Sequence, residues 1–275
     1  MAALFAVPAQ AETPAERGAY LVNTIVACGN CHTPKNPDGS EPRDKLLAGG
    51  LVIEAPPFTA VAPNITPDPE TGIGAWSDFR IALAIREGMR PDGSIIGPPM
   101  PTEFYAKISD RDTMAIVAYL RTVPPVRNKT AKSVYRMPLP KSWGNAAGDP
   151  DPPPANDKVA YGAYLAGPLG HCMECHTPMR ADGGGRDMAR IGAGGPPIPG
   201  PLGDVAPPNI TPDKETGIGR WTDGEIKRAI TQGVSRDGRK LAPPMAFPYY
   251  ARMSIRDLDA VVAYLRSLKP LASPR

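Results

Sequence analysis

Aromatic side chains are scarce in this 275-residue chain, at 5 Phe, 3 Trp and 9 Tyr, and there are only four cysteines and three histidines. The length suggests about two domains, and with so few aromatics each would have a modest apolar core. No run approaches the ~18 apolar residues of a membrane helix, so no transmembrane segment is expected in the mature chain. A net charge of +3 is too small to argue for a nucleic-acid partner. No sustained apolar–polar alternation points to strands. No nucleophile with a positioned acid–base pair is evident, so no catalytic residues are assigned. Proline and glycine are abundant instead, 36 and 28 residues, just short of the composition at which disorder is the default. This reads as long ordered loops wrapped around something large and apolar.

The cysteines indicate what that is. Cys28-Gly29-Asn30-Cys31-His32 and Cys172-Met173-Glu174-Cys175-His176 are both C-x-x-C-H, the spacing of c-type haem attachment. Two thiols add across the two vinyl groups of one haem, and the adjacent histidine is held where its imidazole can bind the iron. Two copies with no cysteine left over predict two covalently bound haem c groups. Cys28, Cys31, Cys172 and Cys175 attach them, and His32 and His176 are proximal iron ligands. Buried porphyrins would supply the missing apolar surface.

Each motif sits in a longer repeat. Arg17-Gly18-Ala19-Tyr20-Leu21 answers Tyr161-Gly162-Ala163-Tyr164-Leu165 at an offset of 144, as do the motifs themselves. Past the motif the offset is 145. Asn64-Ile65-Thr66-Pro67-Asp68 then answers Asn209 to Asp213, Trp76 answers Trp221, and Ala118-Tyr119-Leu120-Arg121 answers Ala263 to Arg266. Each copy carries three helix signals. The first opens on the capping box Thr13-Pro14-Ala15-Glu16, or near Asn156-Asp157. The second opens on Ser77 or Thr222 and stops at Gly88 or Gly233. The third follows Ser109 or Ser254, with apolar residues at helical spacing. The expectation is an all-α protein of two tandem domains, 12–122 and 157–275, related by duplication.

Residues 123–156 are rich in proline and read as a semi-rigid linker, either wrapping one domain or spanning both and so fixing the haem–haem geometry, or simply tethering the two. Residues 1–11 resemble the end of a signal peptide, with an A-x-A cleavage site at Ala9-Gln10-Ala11, which predicts export to the periplasm. Residues 12–122 carry 10 basic and 14 acidic side chains, and residues 161–275 carry 15 and 11. This asymmetry is either a means of steering different partners or drift in solvated surface charge.

A haem held by one histidine has an open sixth position, and closing it with methionine makes an electron carrier of raised potential. Of ten methionines, only Met100 and Met245 align with each other. Both follow Pro-Pro, and prolines can present a thioether without leaving backbone N–H groups to satisfy. Met100 and Met245 are therefore the candidate distal ligands, with core gap-filling the alternative. His171, opposite Ala27 in the repeat, reads as a surface or propionate-facing residue. Asn64, Asn209, Trp76 and Trp221 either contact the haem edge or propionates or simply pin loops. Tyr119 and Tyr264 read as packing against the first helix of each copy.

The two C-x-x-C-H motifs, N-I-T-P-D-x-E-T-G-I-G-x-W at 64–76 and 209–221, P-P-M at 98–100 and 243–245, and A-Y-L-R at 118–121 and 263–266 resemble the cytochrome c subunits of bacterial periplasmic dehydrogenases acting on alcohols, aldehydes, sugar acids or N-heterocycles. The resemblance implies class I cytochrome c domains with His/Met ligation. It also implies a dehydrogenase as electron donor and another cytochrome or a terminal oxidase as acceptor. A dihaem peroxidase with one open iron is the alternative, and a Pro-Pro-Met candidate in both halves argues against it. Zinc binding or dithiol chemistry at the C-x-x-C pairs is a third reading, disfavoured by the following histidine and the repeat.

Overall fold

The computed structural model describes residues 11–198 and 204–273; apart from Ala11, the expected leader remnant lies outside them. All three helix signals of each half lead to helices. In the first half these are α1 (Pro14–Asn23), α3 (Asp78–Arg86) and α5 (Asp110–Leu120). In the second they are α6 (Lys158–Tyr164), α8 (Asp223–Gln232) and α10 (Ile255–Ser267). The caps work as their chemistry requires. Thr13 and Glu16, and Thr222 and Glu225, satisfy each other's backbone N–H groups as capping boxes. Ser77, Ser109, Asp157 and Ser254 each accept one N–H of the first turn. Shorter helices carry the motifs, α2 (Cys28–His32) and α7 (Cys172–Cys175), and follow the Pro-Pro-Met segments, α4 (Thr102–Tyr105) and α9 (Phe247–Tyr250).

In each half the first helix packs on the last, α1 on α5 and α6 on α10. Glycine sets how closely they cross. A Cβ on Gly18 would lie 1.8 Å from the Ala115 carbonyl oxygen, and one on Gly162 would lie 1.9 Å from that of Ala260. No side chain fits either position. Tyr119 and Tyr264 stand beside these crossings, and the Tyr119 hydroxyl accepts a hydrogen bond from Asn23 at 3.0 Å.

The all-α expectation is wrong. Only 34% of the chain is helical, and β1 (Val52–Ala55), β2 (Phe58–Val61) and β3 (Val134–Tyr135) form an antiparallel sheet in the order β1-β2-β3. Val52 pairs with Val61 and Ala55 with Phe58 across a turn at Pro56-Pro57, and Phe58 pairs with Tyr135. Strands of four, four and two residues are too short for alternation to emerge from a Pro-rich background. Residues of the expected linker supply β3 and strap the first half. Asn128 donates to the Ala48 carbonyl at 2.8 Å, the Trp143 indole donates to the Ile96 carbonyl at 2.8 Å, and the Ala147 amide donates to the Ala106 carbonyl at 2.7 Å.

Two tandem domains joined by a tether do not describe the molecule either. One apolar cluster runs through both halves, from Leu21, Val22 and Ile116 to Leu165, Leu169 and Val261. Polar contacts across the junction are reciprocal. The Tyr20 hydroxyl donates to Asp257 at 2.6 Å and accepts the Ser254 amide at 2.9 Å. The Tyr164 hydroxyl donates to Asp112 at 2.9 Å and accepts the Ser109 amide at 3.1 Å. Asp112 is also gripped by both arms of the Arg17 guanidinium, at 2.9 and 3.0 Å. A repeat in sequence has become a two-sided packing of halves on one core.

Candidate functional site

Both motifs are preceded by a left-handed residue, Ala27 at φ 51° and His171 at φ 38°, which turns the chain into a single helical turn. Burial pushes the thiols up, Cys28 and Cys175 to about 12 and Cys172 to about 11. Neutral thiols at such values are poor candidates for redox dithiols. Among the described residues, no group of three or more His, Cys, Asp or Glu side chains converges as a zinc site would require.

The imidazoles are held in the same way in both motifs. His32 Nδ1 lies 2.8 Å from the Pro63 carbonyl oxygen, and His176 Nδ1 lies 2.7 Å from that of Pro208. A carbonyl only accepts, so Nδ1 carries the proton and the lone pair is left on Nε2, the arrangement of a metal-ligating histidine. Burial lowers both imidazole pKa values, offset in part by the carbonyl bond, and favours the neutral ring that a metal requires. The backbone around each histidine is also tied down. Gly49 donates to the His32 carbonyl at 2.7 Å, and Gly194 donates to that of His176 at 3.0 Å.

Pro63 and Pro208 directly precede the repeated Asn-Ile-Thr-Pro-Asp segments, and the asparagines hold these loops. Asn64 donates to Thr71 and to the Val126 carbonyl, and its carbonyl oxygen accepts from Thr66. Asn209 does the same with Thr216, Leu271 and Thr211. Pinning loops is thus their direct role, although Asn209 also reaches the cavity wall described next. Trp76 and Trp221 pack half-buried on the core, and their carbonyls accept from Arg121 and Arg266.

In the second half, Cys172, His176 and Met245 come together on one cavity of about 330 Å³, walled mostly by aliphatic side chains and by Trp221 and Tyr250. Ile25 of the first half contributes to the same wall. An imidazole and a thioether share an apolar chamber bordered by a motif thiol, and these side chains fit the donor set of a His/Met haem c. In the first half, Cys28 and Met100 both pack half-buried against the core. Tyr105, just after Met100, is buried with its phenol pushed well up by desolvation and then by neighbouring Cys28 and Cys31. Tyr250, its counterpart, is raised by burial and then by Cys172, Cys175 and also Cys31, so the two motifs approach each other at the junction. Asn30 there donates to the Pro244 carbonyl at 3.2 Å, bracing the loop that carries Met245.

His171 lies at this junction rather than in the cavity. Its Nδ1 is 3.0 Å from Glu174 without hydrogen-bond alignment, and its ring stands edge-on to Tyr105 at 5.7 Å. The carbonyls of Pro63 and Pro208 were not anticipated as partners of the histidines. Their one sequence signal is the proline shared by Ala62-Pro63-Asn64 and Pro207-Pro208-Asn209.

Comparison with known proteins places these features. The cytochrome c family model matches residues 159–269, a single stretch, which replaces the expectation of two family domains with one. The chain is 32% identical over 277 residues to the fructose dehydrogenase cytochrome subunit of Gluconobacter japonicus, covering 95% of this chain and 54% of that protein. It is 34% identical over 272 residues to the cytochrome c subunit of the quinone-dependent alcohol dehydrogenase of Gluconobacter oxydans, covering 92% and 54%. It thus spans about half the length of those subunits. To a diheme c-type cytochrome of Cereibacter sphaeroides it is 34% identical over 252 residues, covering 87% of this chain and 81% of that one. Identity at that level, over most of both proteins, makes this chain a member of the cytochrome c family.

Proposed function

We propose that the protein is a periplasmic dihaem cytochrome that relays electrons from a partner dehydrogenase to another cytochrome or a terminal oxidase. Cys28 and Cys31 hold one haem c, and Cys172 and Cys175 hold the other. His32 and His176 are the proximal iron ligands, and Met100 and Met245 are the distal ones. Haem c supplies a one-electron couple when bound. The chain's part is to fix the imidazole tautomer through Pro63 and Pro208, to exclude water with an apolar wall, and to close the sixth position with a thioether.

The observation that carries this reading is the shared cavity of His176, Met245 and Cys172. The relatives described as dehydrogenase cytochrome subunits support the donor class, and the diheme relative supports the haem number. The test is optical and magnetic spectroscopy of the Met245→Ala and Met100→Ala proteins. Each is expected to lose the low-spin methionine–iron signature of one haem while the other haem keeps it. Spectra unchanged in both variants would overturn the ligand assignment.

A further inference from the structure

Haem carries two propionate carboxylates, and a carboxylate at the edge of an apolar chamber is costly unless a cation or hydrogen-bond donor meets it. The polar groups around the second-half cavity are mostly engaged already. Asn209 holds its own loop, and Thr216 donates to Asp213. Glu215, which would repel a carboxylate, pairs with Arg220. Arg228 donates to the carbonyls of Ser235 and Arg236, and Arg236 faces Glu225 at 3.8 Å. The Ser235 hydroxyl is taken up between Asp237 and the Arg239 carbonyl. Arg239 lines the cavity, and no hydrogen bond or ion pair with a described residue takes up its guanidinium.

The first half carries its arginine on the other arm of the equivalent turn. Residues 90 and 94 pair through the Arg90 amide and Ser94 carbonyl at 3.0 Å, and residues 235 and 239 pair through the Ser235 amide and Arg239 carbonyl at 2.9 Å. The repeat aligns Arg90 with Ser235 and Ser94 with Arg239, so arginine and serine have exchanged arms. Arg90 reaches across its turn, placing Nη1 3.3 Å from Ser94 Oγ and 3.1 Å from the Ile95 carbonyl. Its guanidinium thus reaches position 94, the arm of the turn on which the second half carries Arg239. Each turn carries one arginine, on opposite arms.

We propose that Arg239, with Arg90 as its first-half counterpart, anchors the haem propionates and so sets the potential of the haem in its half. The proposal rests on the dihaem reading above. A cation beside a propionate offsets its negative charge, and removing it favours the more positive ferric iron.

The test is a spectroelectrochemical titration of the holoprotein with Arg239→Gln, Arg239→Lys and Arg90→Gln variants. Arg239 is exposed, so its replacement leaves the core untouched. Arg239→Gln is expected to lower the midpoint of one haem component, Arg239→Lys to restore much of it, and Arg90→Gln to lower the other component. A titration of Arg239→Gln superimposable on the native one overturns the proposal. Haem content per chain is measured on the same samples. One haem per chain at the second motif sinks the dihaem reading but still scores Arg239, whereas no covalent haem sinks both.

Discussion

A metal-binding imidazole almost always donates its other ring N–H to an acceptor that fixes its tautomer and orientation, and backbone oxygens of Pro63 and Pro208 accept it from His32 and His176. The ligand candidates were legible because cysteine, histidine and methionine are rare enough here for the repeat to sort them. The carbonyl partners were not, since a backbone oxygen leaves no mark on residue type. Residue chemistry also fixes a pH dependence. Asp68 and Asp213 each accept the amide and hydroxyl of the threonine three residues on, and these bonds lower both carboxyl pKa values. A carboxylate with a depressed pKa in the fold stabilises it above the ordinary value and loses that contribution as pH falls through the folded one. Stability should therefore decline below pH ~4. In thermal melts across pH, Asp213→Asn should be less stable at neutral pH and should narrow its difference from the native protein in acid.

At the scale of elements, caps and glycines could be read in advance because each has a local physical signature. Thr13 with Glu16, Thr222 with Glu225, and the serines before α3, α5 and α10 all start helices as expected. The sheet escaped because Val52–Ala55 and Phe58–Val61 are single short passes, and the pairing of Phe58–Val61 with Val134–Tyr135 joins residues more than 70 positions apart. The helix crossings offer a sharp test. Gly18→Ala and Gly162→Ala force a methyl group into the carbonyls of Ala115 and Ala260. Each should cost about 1–3 kcal/mol, measured by denaturant titration. Gly224→Ala, where a Cβ would meet nothing within 4 Å, should not destabilise and serves as the control.

At the scale of the molecule, the duplication was visible and its consequence was not. A repeat reads naturally as two units on a tether, yet the halves share one core, and two tyrosines reach across it to aspartates of the other half. Nothing in the local sequence of Tyr20 or Tyr164 announces that reach. Tyr164→Phe strips buried Asp112 and the Ser109 amide of a partner and should cost about 1–3 kcal/mol, with both halves unfolding in one transition. Two separated transitions would argue against the shared core.

The most direct measurement is the number of haems that stay on the chain after acid–acetone extraction, from intact mass and pyridine haemochrome absorbance on one sample. Two per chain are expected, falling to one when Cys28 and Cys31 are both replaced by serine. A native chain that retains one haem, or none, would contradict the dihaem reading.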